Sequence, residues 1–385
     1  MVSKRRIAII SPNFYPRVCG IGDHSARLGE ELRRRGEAVA VFTRKPAERH
    51  PETPDLDVHG VEGSLSLTIA EGVRRAVVEW KPTDVILQYT SQIWGSWRFG
   101  GLAQLWLTVL SRTAGVKVTL IAHELFVPWI ARPDLLLAAL TQRVQFAAVL
   151  RSCHRVFVTT ESRARHIETA CRLLGLPAAE VLRVGANAMP VPSTGLFSKG
   201  NSEAPRLGVF STAAVGKRFD VVLDAFSTIA REYPAAELVL IGDLGPSEAV
   251  RVRSIGDSAR RHPASSKIRI TGRLSLTEIA REVAALDVYL FPMDTGANTR
   301  SGTLPVALGS GLPIVAIRGS ETDASLFSNE NLVFADALSG PAFARATLGL
   351  LHDRPRMRRV GDSARQLYTD HLSWSKIADH VLAVT

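Results

Sequence analysis

Four short segments concentrate residue types that hold anions or move protons. The first runs Pro16-Arg-Val-Cys-Gly20-Ile-Gly22-Asp23-His24-Ser25. Two glycines let a backbone come close to a ligand, and the helical pattern that follows offers amide hydrogens to an anion. A dinucleotide site asks for Gly-x-Gly-x-x-Gly directly at the end of the first strand. Here the third position is Ser25 and several residues intervene. The second strand ends Thr43-Arg44-Lys45 rather than in an acid, which argues against NAD. The competing reading is an ordinary glycine turn with Asp23 or Ser25 as a helix cap.

The second segment is His123-Glu124, at the carboxyl end of the strand-like run VKVTLIA. A histidine there can hydrogen-bond a phosphate or a sugar hydroxyl, or serve as acid or base. The third is Lys217-Arg218, a cationic pair just before a helix and suited to a diphosphate. The fourth is Asp294-Thr-Gly-Ala-Asn298-Thr-Arg300-Ser301-Gly302-Thr303-Leu304-Pro305. Small and hydroxylated residues with one arginine, opening into a helix, form a phosphate cradle in the physical sense. Asp55-Leu-Asp57 has metal-binding spacing but no third ligand nearby, so no metal site is expected.

These segments need a scaffold that places them together. The chain has 385 residues, enough for two domains. Hydrophobic residues make up 46% and charged residues 22%, which argues against disorder. Strand-like runs alternate with helical ones. Arg6–Ser11, Ala38–Thr43, Asp84–Tyr89, Val116–Ala122, Arg155–Thr160 and Glu180–Val184 read as strands, with helices over Ser25–Arg35 and Leu67–Trp80. A stretch rich in proline and glycine, Ala186–Asn201, reads as a linker. Strands follow at Leu207–Ser211, Glu237–Gly242, Lys267–Thr271, Val288–Phe291, Pro313–Ile317 and Leu332–Phe334. Helices are expected over Phe219–Tyr233, Leu276–Leu286 and Pro305–Gly309. The expectation is an α/β fold of two Rossmann-like domains, 1–190 and 191–372, facing across a central cleft. An amphipathic helix at 373–385 would pack back on the first domain. Ligands belong at the carboxyl ends of the strands.

Lys and Arg total 47 against 37 Asp and Glu, a net charge of +10. Nucleic acid, anionic lipid and phosphorylated small molecules all suit that excess. No long basic tract stands alone, and nucleic acid ranks last. The three cysteines form no disulfide framework, which suggests a cytoplasmic protein. The basic N-terminus has too short an apolar run for a signal peptide. Tyr89, Trp94 and Trp97 end or follow a strand, where they could stack on an acceptor or simply pack a helix. With the basic surface they permit peripheral attachment to an anionic membrane.

In order and spacing, the segments CGIGDH (19–24), RLGEELRRRG (27–36), AHEL (122–125), VFS (209–211), GKRFDVVLDAF (216–226), LVLIGD (238–243), DVYLFP (287–292) and GSGLPIVA (309–316) resemble family 4 glycosyltransferases of the GT-B fold over nearly the whole chain. The resemblance implies transfer of a sugar from a nucleoside-diphosphate sugar, usually with retention and without a metal or other cofactor. The partners implied are that donor and a sugar, lipid-linked or small-molecule acceptor. It places Gly20 and Gly22 near the diphosphate, His123 at the reaction centre and Lys217 on the diphosphate. Arg218 or Arg300 would be a second cation, Asn298 would lie by the donor sugar, and Ser301, Gly302 and Thr303 by the distal phosphate. The sequence departs from the family's Glu-x7-Glu pair, with Asn298 and Val306 at those positions, and from its upstream Arg, near Ser211–Thr212. A non-catalytic nucleotide-sugar binder and a nucleotide-sugar 2-epimerase are the alternatives.

Overall fold

Runs such as RIAII, DVILQY and ELVLI are apolar on both faces of a strand, and such strands are stable only when both faces are covered. The computed structural model describes residues 5–17, 19–63, 66–91, 104–108, 115–127, 129, 132–195, 203–211, 216–243 and 250–383. The chain divides into two compact units. The first is Met1–Arg183 with Ile377–Thr385, and the second is Val184–Lys376.

In the first unit the strands are β1 (Arg6–Ile10), β2 (Ala38–Arg44), β3 (Asp57–Val61), β4 (Asp84–Tyr89), β5 (Lys117–Ala122), β6 (Arg155–Val158) and β7 (Ala179–Val181). They form one parallel sheet in the order β3-β2-β1-β4-β5-β6-β7. Its helices include α1 (Gly20–Arg34), α2 (Ser66–Trp80), α3 (Pro133–Arg151) and α4 (Glu161–Leu173). In the second unit β8 (Arg206–Phe210), β9 (Glu237–Ile241), β10 (Ile268–Ile270), β11 (Val288–Leu290), β12 (Ile314–Ile317) and β13 (Val333–Ala335) form a parallel sheet ordered β10-β9-β8-β11-β12-β13. Its helices include α5 (Phe219–Glu232), α6 (Val250–Arg261), α7 (Leu276–Ala284), α8 (Leu304–Ser310), α9 (Gly340–Leu351) and α10 (Arg354–Leu367). The last helix, α11 (Trp374–Leu382), starts in the second unit and continues into the first.

Side chains alternate between faces with period two. In the second sheet Leu207, Val209, Leu238, Leu240, Val288, Leu290, Val315 and Ile317 join one core, and Phe210, Val239, Ile241, Tyr289, Ile314 and Ala316 join the other. Both sheets reverse strand order beside their first strand, β1 or β8. That is the switch point at which α/β sheets bind ligands.

Two local expectations change. The first helix begins at Gly20, so Gly20 and Gly22 lie in its first turn and not in a preceding loop. Cys19 takes the cap position, Asp23 lies 3.5 Å from His50, and the Ser25 hydroxyl donates to the Ile21 carbonyl. Neither Asp23 nor Ser25 caps the helix. The Asp55-x-Asp57 segment runs into β3, a half-exposed strand missed because DVHGV has no long apolar run. Its acids face Arg33 and His59. Helices α3, α4, α6 and α9 are likewise additional to the elements expected. No described helix is long and apolar enough to cross a membrane.

Arg155 ties the end of the chain to the rest of the first unit. Arg155 gives two 2.8 Å hydrogen bonds to the Glu180 carboxylate and others to the carbonyls of His380 and Val381. Its guanidinium lies 4.2 Å from the Phe157 ring centre. Asp379 pairs with Arg35 on the same unit. Truncating Arg155 strands the two carbonyls and one carboxylate, though Glu180 keeps some water. Arg155→Ala should therefore lower stability by about 2 kcal/mol and expose residues 377–383 to limited proteolysis. Urea denaturation and mapping of the first cleavage sites check this.

Candidate functional site

In the second unit the site is built around Lys217. Its ammonium is buried and donates to the Phe210 carbonyl (2.8 Å) and the Thr303 hydroxyl (3.0 Å). The Phe291 ring lies 5.4 Å away. Burial pushes the Lys217 amine down to about 7, because leaving water disfavours the charged form. The loop carrying Lys217 is docked on the strand-end segment after β11. Lys217 bridges Met293, Asp294 N–H donates to the Gly216 carbonyl, and Arg218 N–H donates to the Pro292 carbonyl. Gly216 has a positive φ of 88°, and a Cβ there would lie 2.6 Å from an Asp294 carboxylate oxygen. Only glycine suits that turn.

The 294–303 loop is clamped from the other side. Val184 N–H donates to the Thr299 carbonyl and Asn187 N–H to the Gly302 carbonyl. A Cβ on Gly302 would fall 1.9 Å from the Asn187 side-chain oxygen. Buried Asp323 accepts from the Thr299 amide (2.6 Å) and hydroxyl (2.7 Å). The Ser301 and Thr303 hydroxyls are 2.9 Å apart. Tyr289, buried beneath, hydrogen-bonds the Phe210 backbone and Thr303, and burial pushes its phenol up to about 12. Lys217, Ser301, Gly302 and Thr303 thus come together as one cluster beside the switch point of the second sheet.

Three other expected residues sit differently. Arg218 turns away to Asp220, 2.5 Å off, and is 45% exposed. Arg300 is partly exposed and lies 4.0 Å from Glu321. Asn298 is buried, with its amide donating to Gly296 and Thr295 and its oxygen accepting from the Arg300 amide. These bonds tie its side chain into its own loop. Val306, where the resemblance expects an acid, is fully buried in the core.

The first unit holds the histidine. His123 follows β5 on the same sheet face as Ile121. Its Nε2 lies 2.6 Å from the Gln88 side-chain oxygen. Its ring meets the His24 ring edge-on at 4.9 Å. Its carbonyl accepts from Arg163. Burial, then His24 and Arg163, push the His123 imidazole well below its ordinary value. Burial lowers His24 to about 4. Both rings are therefore neutral at neutral pH. The contact with the Gln88 side chain holds the ring at Nε2 in either imidazole tautomer. The ring is thus a positioned neutral hydrogen-bonding group.

Tyr89 is corrected by the same alternation. Gln88 and Tyr89 point to opposite faces, and Tyr89 goes into the core 5.0 Å from the Phe146 ring. Its side chain is fully buried and cannot stack on an acceptor. Trp94 and Trp97 lie outside the described residues. Gly22 serves packing, since a Cβ would lie 3.1 Å from the Asn13 carbonyl oxygen. Gly20 opens α1 in the first unit, and the Lys217 cluster is built wholly from the second. Sequence reading missed Gln88, His24, Asn187, Tyr289 and Asp323 as supporting residues. Among the described residues no cluster of three or more His, Cys, Asp or Glu could hold a metal ion.

Residues 204–353 match the family described as Glycosyl transferases group 1. No curated protein matches the chain in sequence. Among solved structures, the chain is similar to sucrose-phosphate synthase from Thermosynechococcus elongatus, at 16% identity and a TM-score of 0.74, over 98% of this chain and 97% of that one. It is similar to a glycosyltransferase from Rickettsia africae, at 11% identity and a TM-score of 0.73, over 99% and 98%. It is also similar to Anabaena HepE in complex with UDP, at 15% identity and a TM-score of 0.72, over 98% of each chain. Such identities speak for fold. With its two parallel Rossmann-type sheets, the chain has the GT-B fold, and its second unit carries the match to the group 1 glycosyl transferases.

Proposed function

We propose that this protein is a glycosyltransferase that takes a sugar from a uridine-diphosphate donor and joins it to an acceptor hydroxyl, with retention and without a metal, in bacterial glycan assembly. The observation that carries the reading is the buried Lys217 ammonium beside the Ser301–Thr303 hydroxyls, inside the segment that matches the group 1 glycosyl transferases. The fold shared with a UDP complex supports uridine as the base.

As the sugar leaves, negative charge grows on the distal phosphate. Lys217, already fixed by Phe210 and Thr303, stabilises that charge without reorganising. Neutral His123, held by Gln88, hydrogen-bonds the transferred sugar. The departing phosphate takes the acceptor's proton, so the reaction needs no strong protein base. Family 4 membership, the retained configuration and the peripheral membrane location belong to this proposal, as do the roles of Arg300 and the 301–303 backbone at the distal phosphate.

Calorimetry and a thermal-shift series with UDP test the reading. UDP should raise the melting temperature, as a ligand of the folded state must. Lys217→Met should weaken UDP binding by about tenfold or more, the usual loss of a charge-assisted hydrogen bond. His123→Ala should keep UDP affinity but slow UDP-sugar turnover by about a hundredfold. Absence of any nucleoside-diphosphate binding by the wild-type protein sinks the proposal. Retained turnover in His123→Ala removes that residue from the mechanism.

The pH dependence has a definite sign. The diphosphate favours the charged amine, so binding takes up a proton wherever free Lys217 is neutral. With Lys217 titrating at about 7 in the free protein, UDP affinity should fall as pH rises above 7. The limiting slope is about one decade per pH unit for one linked proton. Lys217→Met should flatten that slope.

A further inference from the structure

The carboxyl edge of the first sheet carries a second charged feature that the donor reading does not use. Asn13, in the loop between β1 and α1, accepts from Arg44 Nε (3.0 Å), Arg44 Nη2 (2.6 Å) and Arg17 Nη1 (3.4 Å) through one side-chain oxygen. Arg44 is the last residue of β2, and Arg17 also donates to the Lys45 carbonyl at 3.1 Å. Other arginines of this unit are matched with acids: Arg27 with Glu52, Arg33 and Arg34 with Glu30, Arg74 with Glu71, and Arg155 with Glu180. Among the described residues, Arg17 and Arg44 have no carboxylate within ion-pair reach, and Arg44 Nη1 makes no hydrogen bond. A neutral amide orients two guanidiniums but cannot neutralise them.

The pair is also held in place. The Ser11 hydroxyl donates to the Asn13 carbonyl at 2.7 Å, and Gly22 lets this loop lie directly on α1. Both guanidiniums are only partly exposed. Burial, and next the charge of Arg17, push Arg44 below its ordinary value. A bound anion would offset both by favouring the charged guanidinium. Paired guanidiniums suit the tetrahedral oxygens of a phosphate better than an uncharged sugar. In the sheet, β2 and β5 are three strand spacings apart, which is about 14 Å. Arginine side chains and a pyranose ring together span such a gap, from a phosphate at Arg44 to a hydroxyl near His123.

We propose that Arg17 and Arg44, presented on Asn13, bind the phosphate group of a phosphate-bearing sugar acceptor. This rests on the transferase reading above and names its acceptor class. The phosphate can belong to a soluble sugar phosphate or to a lipid headgroup.

The test is calorimetry on the full chain saturated with UDP, using inorganic phosphate, glucose 6-phosphate and glucose, with sedimentation on phosphatidic-acid and phosphatidylcholine vesicles. Glucose 6-phosphate should bind at least about tenfold more tightly than glucose, from one or two charge-assisted contacts. Arg44→Gln and Arg17→Gln should each erase most of that preference and leave UDP affinity unchanged. Arg44→Lys, which keeps the charge, should retain part of it and so separate ligand recognition from loss of fold. Arg49→Gln, an exposed neighbour bonded only to the Pro54 carbonyl, should change nothing. Arg44-dependent binding to phosphatidic acid alone assigns the phosphate to a lipid, and to glucose 6-phosphate alone assigns it to a soluble sugar; either supports the site. Equal affinity for glucose and glucose 6-phosphate with no Arg44-dependent vesicle binding overturns it, as does an equal loss in Arg49→Gln. Failure of the wild-type chain to bind UDP, with phosphate binding intact, counts against the transferase reading and not against this site.

Discussion

A lysine ammonium out of water is the constraint on which the second unit is arranged. Removing such a charge from solvent costs several kcal/mol unless nearby groups repay it. Lys217 donates to one backbone carbonyl and one hydroxyl, both neutral. The arrangement therefore has to be enforced from outside. Gly216 allows the turn, the 292–294 backbone receives it, and Asp323 with the 184–187 segment fixes the facing loop. Each of these contacts serves packing, and together they fix the Lys217 side chain in place.

The first unit meets a related problem with different chemistry. Its histidine pair is buried and neutral, so it can orient hydroxyl groups without adding charge. Its excess charge sits instead at Arg17 and Arg44, beside β1 and β2. The period-two alternation of parallel strands sorts these groups. Gln88 and His123 reach the face covered by α1, while Tyr89 is sent into the opposite core. Among the described residues of the first unit, several arginines pair with acids while Arg17 and Arg44 have none within ion-pair reach.

Much of the scaffold was legible in the sequence, because buried parallel strands must be continuous apolar runs. RIAII, VILQY, LVLI and IVAI announce themselves that way. DVHGV did not, since an edge strand exposed on one side needs no such run. Helix α3 escaped for a different reason: apolar residues run round its whole circumference, so it shows no one-sided period. Helix α6 is amphipathic and carried a readable pattern that the sequence reading passed over.

The candidate residues divide along the same line. Residue type and place after a strand were enough to single out His123, Lys217 and the 301–303 loop, since cations, imidazoles and small residues at strand ends are local signals. What each side chain faces was not local. Arg218 beside Lys217 in the chain turns to Asp220, and Asn298 folds into its own loop. Gln88, Asp323, Asn187 and the unanswered Arg17–Arg44 pair became visible only in three dimensions. The order of residues dictates which groups a strand end can offer. Packing against segments tens or hundreds of positions away decides which of them are buried, paired or left with charge to spare.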